Sequence, residues 1–402
     1  MKTEAMSSSQ PRPADVQSRK SLRMQARFAE SKEEKAARLF GTMRQLAAGG
    51  GVGLESAGDK LPPKDVLQAR MTERLAASDG PSPLIETIAA KKAEDGLALA
   101  GRIVRDEIRV ADLSEESVSA LEAVISVVGR PAWFVRKNVP QTQEAASTQR
   151  ADEFWITIIA AARKALWEVC GRTGCVMKQE DGARVPVGTG WMIGERTLVT
   201  NAHVAGHLAR RRQPAPAGDA RNGWRLRPDI GGLVDFAFEN GENGTSSFEV
   251  ADVLYVEAAD APDIAIFRLR VEDNGPKPPS PIALDLTAAR PAGWSDTNVF
   301  AVGHPMADLN DDAHVAIVFG KLDSTKRISP GKLMDVLGNE VLTHDCSTTN
   351  GSSGSPLIDF ASLKAVGLHY FGKPGDRNEA VFLPAIATHP AIVNSLSGQW
   401  GI

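Results

Sequence analysis

Three short segments of this chain carry side chains that together could perform acyl transfer. "VTNAHVAGH" ends an apolar run with His203, where an imidazole can face a cleft. "APDIAIFRL" starts another apolar run with Asp263, a carboxylate that can accept from an imidazole N–H. "NGSSGSP" holds Ser353 between small residues. A serine hydroxyl is a weak nucleophile until a base takes its proton, a third group orients the base, and N–H donors meet the developing oxyanion. The glycines around Ser353 allow a sharp turn, which lets the N–H groups of Gly351 and Ser353 converge on one point.

Each residue also has a plainer reading. A Gly/Ser run before a proline suits an ordinary surface loop. Asp263 could simply cap a turn. His203 and His207 are four residues apart, a spacing that can hold zinc, yet Val204 stands where a metallopeptidase needs its glutamate. His207, His304, His314 and His389 read as structural or surface residues. "GTG" at 188–190 is not a phosphate cradle, because no helix is expected after it. No metal or organic cofactor is expected.

The elements that must position these residues fall into two kinds. The chain has 402 residues, of which 42% are hydrophobic, and a net charge of −4. That near balance gives no reason to expect a nucleic acid or an anionic membrane as partner. The first residues lack the apolar stretch of a signal peptide, and Cys170, Cys175 and Cys346 fit a reducing compartment, so a cytoplasmic location is expected. Residues 1–19 read as disordered and 20–130 as amphipathic helices, with Ser114 as an N-cap. Residues 131–172 read as a linker and a docking helix, whose stripe comprises Phe154, Trp155, Ile158, Ile159, Ala162, Leu166 and Cys170. From residue 173 to 402 the pattern becomes short β-branched and aromatic runs between turn formers, including "TLVTNAHVA", "NVFAVGH", "HVAIVFGKL" and "KAVGLHYFG". This predicts an all-β barrel or sandwich.

The order His203, Asp263, Ser353 in the contexts "TNAHV", "DIAI" and "GSSGSP" resembles the chymotrypsin-like serine peptidases. "GTGWMI…LVTNAHV", "VGHP", "STTNGSSGSPLID" and "VGLHYFG" are more closely similar to the bacterial glutamyl-endopeptidase-like branch. The resemblance implies two six-stranded antiparallel β-barrels behind the α-helical N-terminal region, and serine endopeptidase activity on protein or peptide substrates. It also implies that Thr348 and His369 hydrogen-bond a substrate carboxylate, giving cleavage after Glu or Asp. The sequence departs from the family in having Asn350, Gly351 and Ser352 before the nucleophile. Ser352 replaces the aspartate that, in trypsin-like zymogens, pairs with a newly cut N-terminus, so activation by that ion pair is not expected. Tyr370 and Phe371 stand before Gly372 where the branch has a double glycine.

Two functions follow as expectations. One is an active intracellular serine endopeptidase whose N-terminal helices regulate it or bind a protein partner. The other is a peptidase-like scaffold that binds proteins without cutting them.

Overall fold

The structure is a computed structural model. It describes residues 36–37, 39–41, 43–44, 61, 63–142, 150–212, 223–242, 245–257, 262–287, 297–307, 315, 318–338, 340–372 and 378–400. The disorder expected over 1–19, the start of the first predicted helix and His314 lie outside the described residues, as does the side chain of Phe154.

The N-terminal part is helical, with α1 at Lys64–Asp79, α2 at Pro83–Val104 and α3 at Glu115–Gly129. Local chemistry sets two of the starts. Ser82 Oγ accepts from the Ile85 N–H just ahead of Pro83, and Ser114 Oγ accepts from the Ser117 N–H ahead of Glu115 and Glu116. Leu67 and Met71 of α1, Ile85, Ala89 and Ile103 of α2, and Leu121 and Val124 of α3 form a core separate from the barrels. Close packing requires Gly96, where a Cβ would lie 2.4 Å from Val124 and 2.7 Å from the Ala120 carbonyl.

The next segment does more than link. β1 (Trp133–Arg136) and β2 (Val139–Pro140) form a hairpin whose turn residues, Lys137 and Asn138, both have positive φ. Then α4 (Arg150–Ala161) and α5 (Arg163–Arg172) divide the expected docking helix at Ala162. Trp155, Ile159, Leu166 and Cys170 are buried against both barrels.

The first barrel closes in the order β10-β5-β4-β3-β8-β9. Its strands are β3 (Thr173–Glu180), β4 (Ala183–Met192), β5 (Thr197–Thr200), β8 (Gly231–Asp235), β9 (Ser247–Val256) and β10 (Ala265–Leu269). A small pair, β6 (Ala209–Arg211) and β7 (Trp224–Leu226), lies outside it. The second barrel runs β11-β14-β15-β16-β13-β12 and closes through β11 against β12. It comprises β11 (Asn298–Gly303), β12 (Arg327–Leu337), β13 (Val341–His344), β14 (Pro356–Asp359), β15 (Ala365–Gly372) and β16 (Asn378–Phe382). The fold is thus two six-stranded antiparallel barrels behind a helical region. The β1–β2 hairpin extends the second barrel, with Trp133 paired to Ile328 of β12.

Two strand expectations depart from the structure, for "TLVTNAHVA" is strand only over Thr197–Thr200 and helical from Ala202, and "HVAIVFGKL" fails as a strand. In "HVAIVFGKL" Val315, Val318 and Phe319 are helical and buried; their spacing fits one helix face as well as it fits a strand. The strand that closes the barrel is β12, which contains Ser329, Pro330 and Gly331.

A buried ion pair joins the two barrels. Lys326 Nζ donates to the carbonyls of Cys170 and Phe236, each at 2.7 Å, and to Glu239 Oε1 at 2.9 Å. All three ammonium protons therefore have acceptors, which such a fully buried cation requires. Glu239 in turn accepts from the Asn138 N–H, so the hairpin is tied into the same junction.

Candidate active site

β5 is buried throughout and delivers the chain to Asn201, after which α6 (Ala202–Leu208) begins. His203 stands in the first turn of this helix. Its Nδ1 lies 2.6 Å from Asp263 Oδ2, and its backbone N–H donates to Asp263 Oδ1 at 3.2 Å. The carboxylate thus holds both the ring and the helix start. Asp263 is 8% exposed and sits just before β10. Because the carboxylate can only accept, Nδ1 carries the imidazole proton and donates it, which leaves the Nε2 lone pair able to take a proton. The buried Asn201 adds a brace, its Nδ2 donating to the Asp263 carbonyl at 2.8 Å.

The Ser353 loop enters β14 through a set of backbone bonds. Ser352 N–H donates to the Thr349 carbonyl and Ser355 N–H to the Ser352 carbonyl, both at 3.0 Å, while Gly354 N–H donates to the His369 carbonyl at 2.8 Å. Ser352 is buried, and its Oγ accepts from the Thr349 N–H at 3.2 Å. That local turn occupies the position where a charged partner was not expected. Gly351 has φ of 80°, and a Cβ there would lie 2.3 Å from the His304 carbonyl. Gly354 has φ of 91°, and its Cβ would lie 1.9 Å from the Thr189 carbonyl. Neither position tolerates a side chain.

Sequence reasoning missed the residue that grips this loop. Thr189, in the "GTG" run, donates its N–H to the Ser353 carbonyl and its Oγ1 to the Gly351 carbonyl, each at 2.8 Å. The same hydroxyl accepts from the His304 N–H at 3.0 Å. With the Met306 N–H on the Asn350 carbonyl at 2.7 Å and the Ser355 N–H on the Ser352 carbonyl, the loop's carbonyls are turned to fixed partners. Across planar trans peptides the N–H groups of Gly351 and Ser353 point the opposite way from the carbonyls of Asn350 and Ser352. Among the described residues neither N–H has a protein acceptor. Two such donors are what a developing oxyanion needs.

Ser353 Oγ itself donates to the Tyr370 carbonyl at 3.4 Å, and among the described residues no hydrogen bond joins it to His203. The segments that carry them meet at Gly188. A Cβ on Gly188 would lie 2.7 Å from Val204, which follows His203, and 3.2 Å from the Ser353 carbonyl.

Thr348 and His369 flank the loop. Thr348 Oγ1 donates to Asn378 Oδ1 at 2.6 Å, and Asn378 Nδ2 to the Cys346 carbonyl at 2.7 Å. Gly372 faces this pair, since a Cβ there would lie 2.5 Å from Thr348 Oγ1. His369 is 1% exposed, and its Nδ1 lies 3.1 Å from His344 Nε2. Burial first, then His344 and His203, holds His369 well below the ordinary histidine value. Burial pushes His344 down to about 3. Both rings are therefore neutral near pH 7.

His304 and His389 have separate partners. His304 is fully buried with Nδ1 at 2.9 Å from the Ser324 carbonyl, and His389 pairs with Glu257. His207 lies one turn beyond His203 in α6. Among the described residues no group of three or more His, Cys, Asp or Glu side chains is placed to hold a metal ion.

Residues 188–368 match the trypsin-like peptidase domain family, a span that includes His203, Asp263 and Ser353. The match supports a peptidase, with protein or peptide as its substrate. Among solved structures, the chain is similar to the active form of the Rv3671c protease from M. tuberculosis, at 16% identity over 59% of this chain and 84% of that chain, with a TM-score of 0.36. It is also similar to the scabies mite inactivated protease paralogue S-I1, at 16% identity over 56% of this chain and 95% of that one, with a TM-score of 0.39.

Proposed function

We propose that this chain is a serine endopeptidase in which Ser353 is the nucleophile, His203 the general base and Asp263 the group that orients it. The observation that carries the reading is the 2.6 Å contact between His203 Nδ1 and Asp263, together with a loop whose Gly351 and Ser353 N–H groups have no protein acceptor among the described residues. In the forward step Ser353 Oγ attacks the scissile carbonyl carbon as His203 Nε2 takes the hydroxyl proton. The carbonyl electron pair moves onto oxygen between the two N–H groups. Collapse of this intermediate expels the amine, which receives the proton from His203 and leaves an acyl-serine. Water repeats the sequence and frees the acid. Asp263 stabilises the imidazolium in both halves without taking its proton. Ser353 Oγ must leave the Tyr370 carbonyl to reach the base, a modest adjustment of the kind substrate binding brings about.

The proposal extends to cleavage after Glu or Asp. Thr348 and His369 would hydrogen-bond the substrate carboxylate, which cannot be buried unpaired without a cost of several kcal/mol. For this Thr348 has to turn its proton from Asn378 to the substrate. His369 is neutral when the pocket is empty, and a carboxylate would favour its charged form, so the pocket gains its charge with its substrate. We further propose that the enzyme acts inside the cell, in keeping with its three free, buried cysteines, and that the helical region regulates it or binds a protein partner.

One observation favours the scaffold reading. The Ser353 hydroxyl is turned to Tyr370 and not to His203. Digestion of a peptide library by the wild-type chain and by Ser353→Ala separates the two. Cuts after Glu and then Asp that vanish in the variant are expected. Identical digests from both proteins would favour the scaffold, and Ser353-dependent cuts mainly after Arg, Lys or apolar residues would remove the acid pocket alone.

A further inference from the structure

Arg130 follows directly on α3, at the boundary between the helical module and the barrels. Its side chain is 8% exposed, and Nη2 lies 2.5 Å from Asp345 Oδ2. Its carbonyl accepts from Ser347 Oγ at 2.7 Å. The guanidinium also lies 5.8 Å from the ring of Trp155 in α4, so the same residue touches the docking helix. Asp345 is held on its other side, with Oδ1 accepting from the Lys332 N–H of β12 at 2.6 Å.

These bonds fall on one short stretch of chain. Arg130 holds residues 345 and 347, and Thr348, Gly351 and Ser353 follow along the same stretch. The turn from Thr349 to Ser352 is closed by two bonds of its own, and from outside Thr189 holds the Gly351 carbonyl and Met306 the Asn350 carbonyl. Thr189 and Met306 hold the middle of the loop, and where residues 345–347 enter sets its approach. The residue before the nucleophile carries no charge here, so it cannot anchor the loop by an ion pair. A buried, partly desolvated Arg–carboxylate pair backed by a second bond to the same residue's carbonyl is a stiff alternative.

We infer that Arg130 is a positioning residue for the proposed nucleophile, an internal cation that fixes the entry of the Ser353 loop and links it mechanically to the end of the helical module. The effect on rate rests on the peptidase reading; the effect on loop order does not. The internal cation is part of the folded chain, so the anchoring needs no newly cut terminus. Any displacement of α3 acts on the loop through the residue that follows it.

The full-length chain tests this with Arg130→Met, Arg130→Lys and Ser347→Ala. Two readouts are taken: amide hydrogen exchange resolved over residues 345–355, and the rate at which a fluorophosphonate labels Ser353. Arg130→Met should speed exchange in that segment while the strands of both barrels keep their protection, and slow labelling by about tenfold or more, as small misplacements of reacting groups do. Arg130→Lys, which keeps the charge, should recover most of both effects. Ser347→Ala, the milder change if Arg130→Met does not fold, should shift both in the same direction. Exchange that is unchanged in the segment, or raised evenly across the barrels, would overturn the inference, as would labelling at the wild-type rate despite a loosened loop. If the wild-type chain is never labelled, the peptidase reading fails and the exchange measurement alone decides the role of Arg130.

Discussion

Replacing Thr189 by valine removes one buried hydroxyl while keeping the shape of the side chain. Thr189 is fully buried, and its Oγ1 serves two groups, accepting from the His304 N–H and donating to the Gly351 carbonyl. Both lose their partner in the variant, and His304 is buried with no access to replacement water. A buried polar group left without a partner costs about 1–3 kcal/mol, so the two together should cost about 2–6 kcal/mol. The backbone bond from Thr189 N–H to the Ser353 carbonyl survives, so the loop should loosen without leaving its place. The Gly351–Ser352 peptide is the one that is freed, and it lies between the two peptides that carry the proposed oxyanion donors. Acylation should fall by about 10–100-fold as the two donors lose their fixed position relative to each other. Urea unfolding measures the first quantity and fluorophosphonate labelling the second, with Thr189→Ser as the control that keeps the oxygen. If the valine variant unfolds within about 0.5 kcal/mol of wild type and labels within about twofold, the assignment of Thr189 as the loop's clamp is wrong.

Other consequences can be checked on the same protein. Asp263→Asn should lower turnover by about 10⁴-fold with little loss of stability, the effect of reversing the imidazole tautomer in this kind of triad, and a twofold loss would make Asp263 a structural cap. Lys326→Met leaves Glu239 buried without its cation and should destabilise the chain by about 3–5 kcal/mol in denaturant melts; an unchanged midpoint would mean that the junction is held by packing alone. Burial pushes His304 and His344 down to about 3 from the ordinary 6.5. Between those values the unfolded chain binds protons that the folded chain refuses. Stability should therefore be full above about pH 6.5 and fall as the pH drops, by about 2 kcal/mol per histidine at pH 5. Unfolding midpoints that do not move between pH 7.5 and pH 5 would contradict this.

Much of the fold was legible in the sequence because its signals are local. The change from helical to alternating periodicity marks where β3 begins, and Ser114 announces α3 by a side-chain bond to a residue three positions away. His203, Asp263 and Ser353 could be singled out because each lies in a short motif. The residues that hold them could not. Thr189 acts on Gly351 across 162 positions, Asn201 on Asp263 across 62, and Arg130 on Asp345 across 215. A threonine between glycines or an arginine after a helix has no local mark of such a role. β12 was hidden for a different reason. Its Ser-Pro-Gly reads as a turn, yet Pro330 pairs opposite Phe300, and Gly331 is required because a Cβ there would lie 2.6 Å from the Cys346 nitrogen. The break at Ala162 has no glycine or proline to signal it.

The central claim is that Ser353 is an activated nucleophile, although its hydroxyl rests on the Tyr370 carbonyl. Intact-mass spectrometry of the full chain after exposure to a fluorophosphonate at neutral pH tests this without knowledge of the substrate. The account predicts a single adduct mapped to Ser353, absent in Ser353→Ala and strongly slowed in His203→Ala. A folded wild-type chain that takes up no probe, or one labelled at Ser353 equally fast with and without His203, would contradict it.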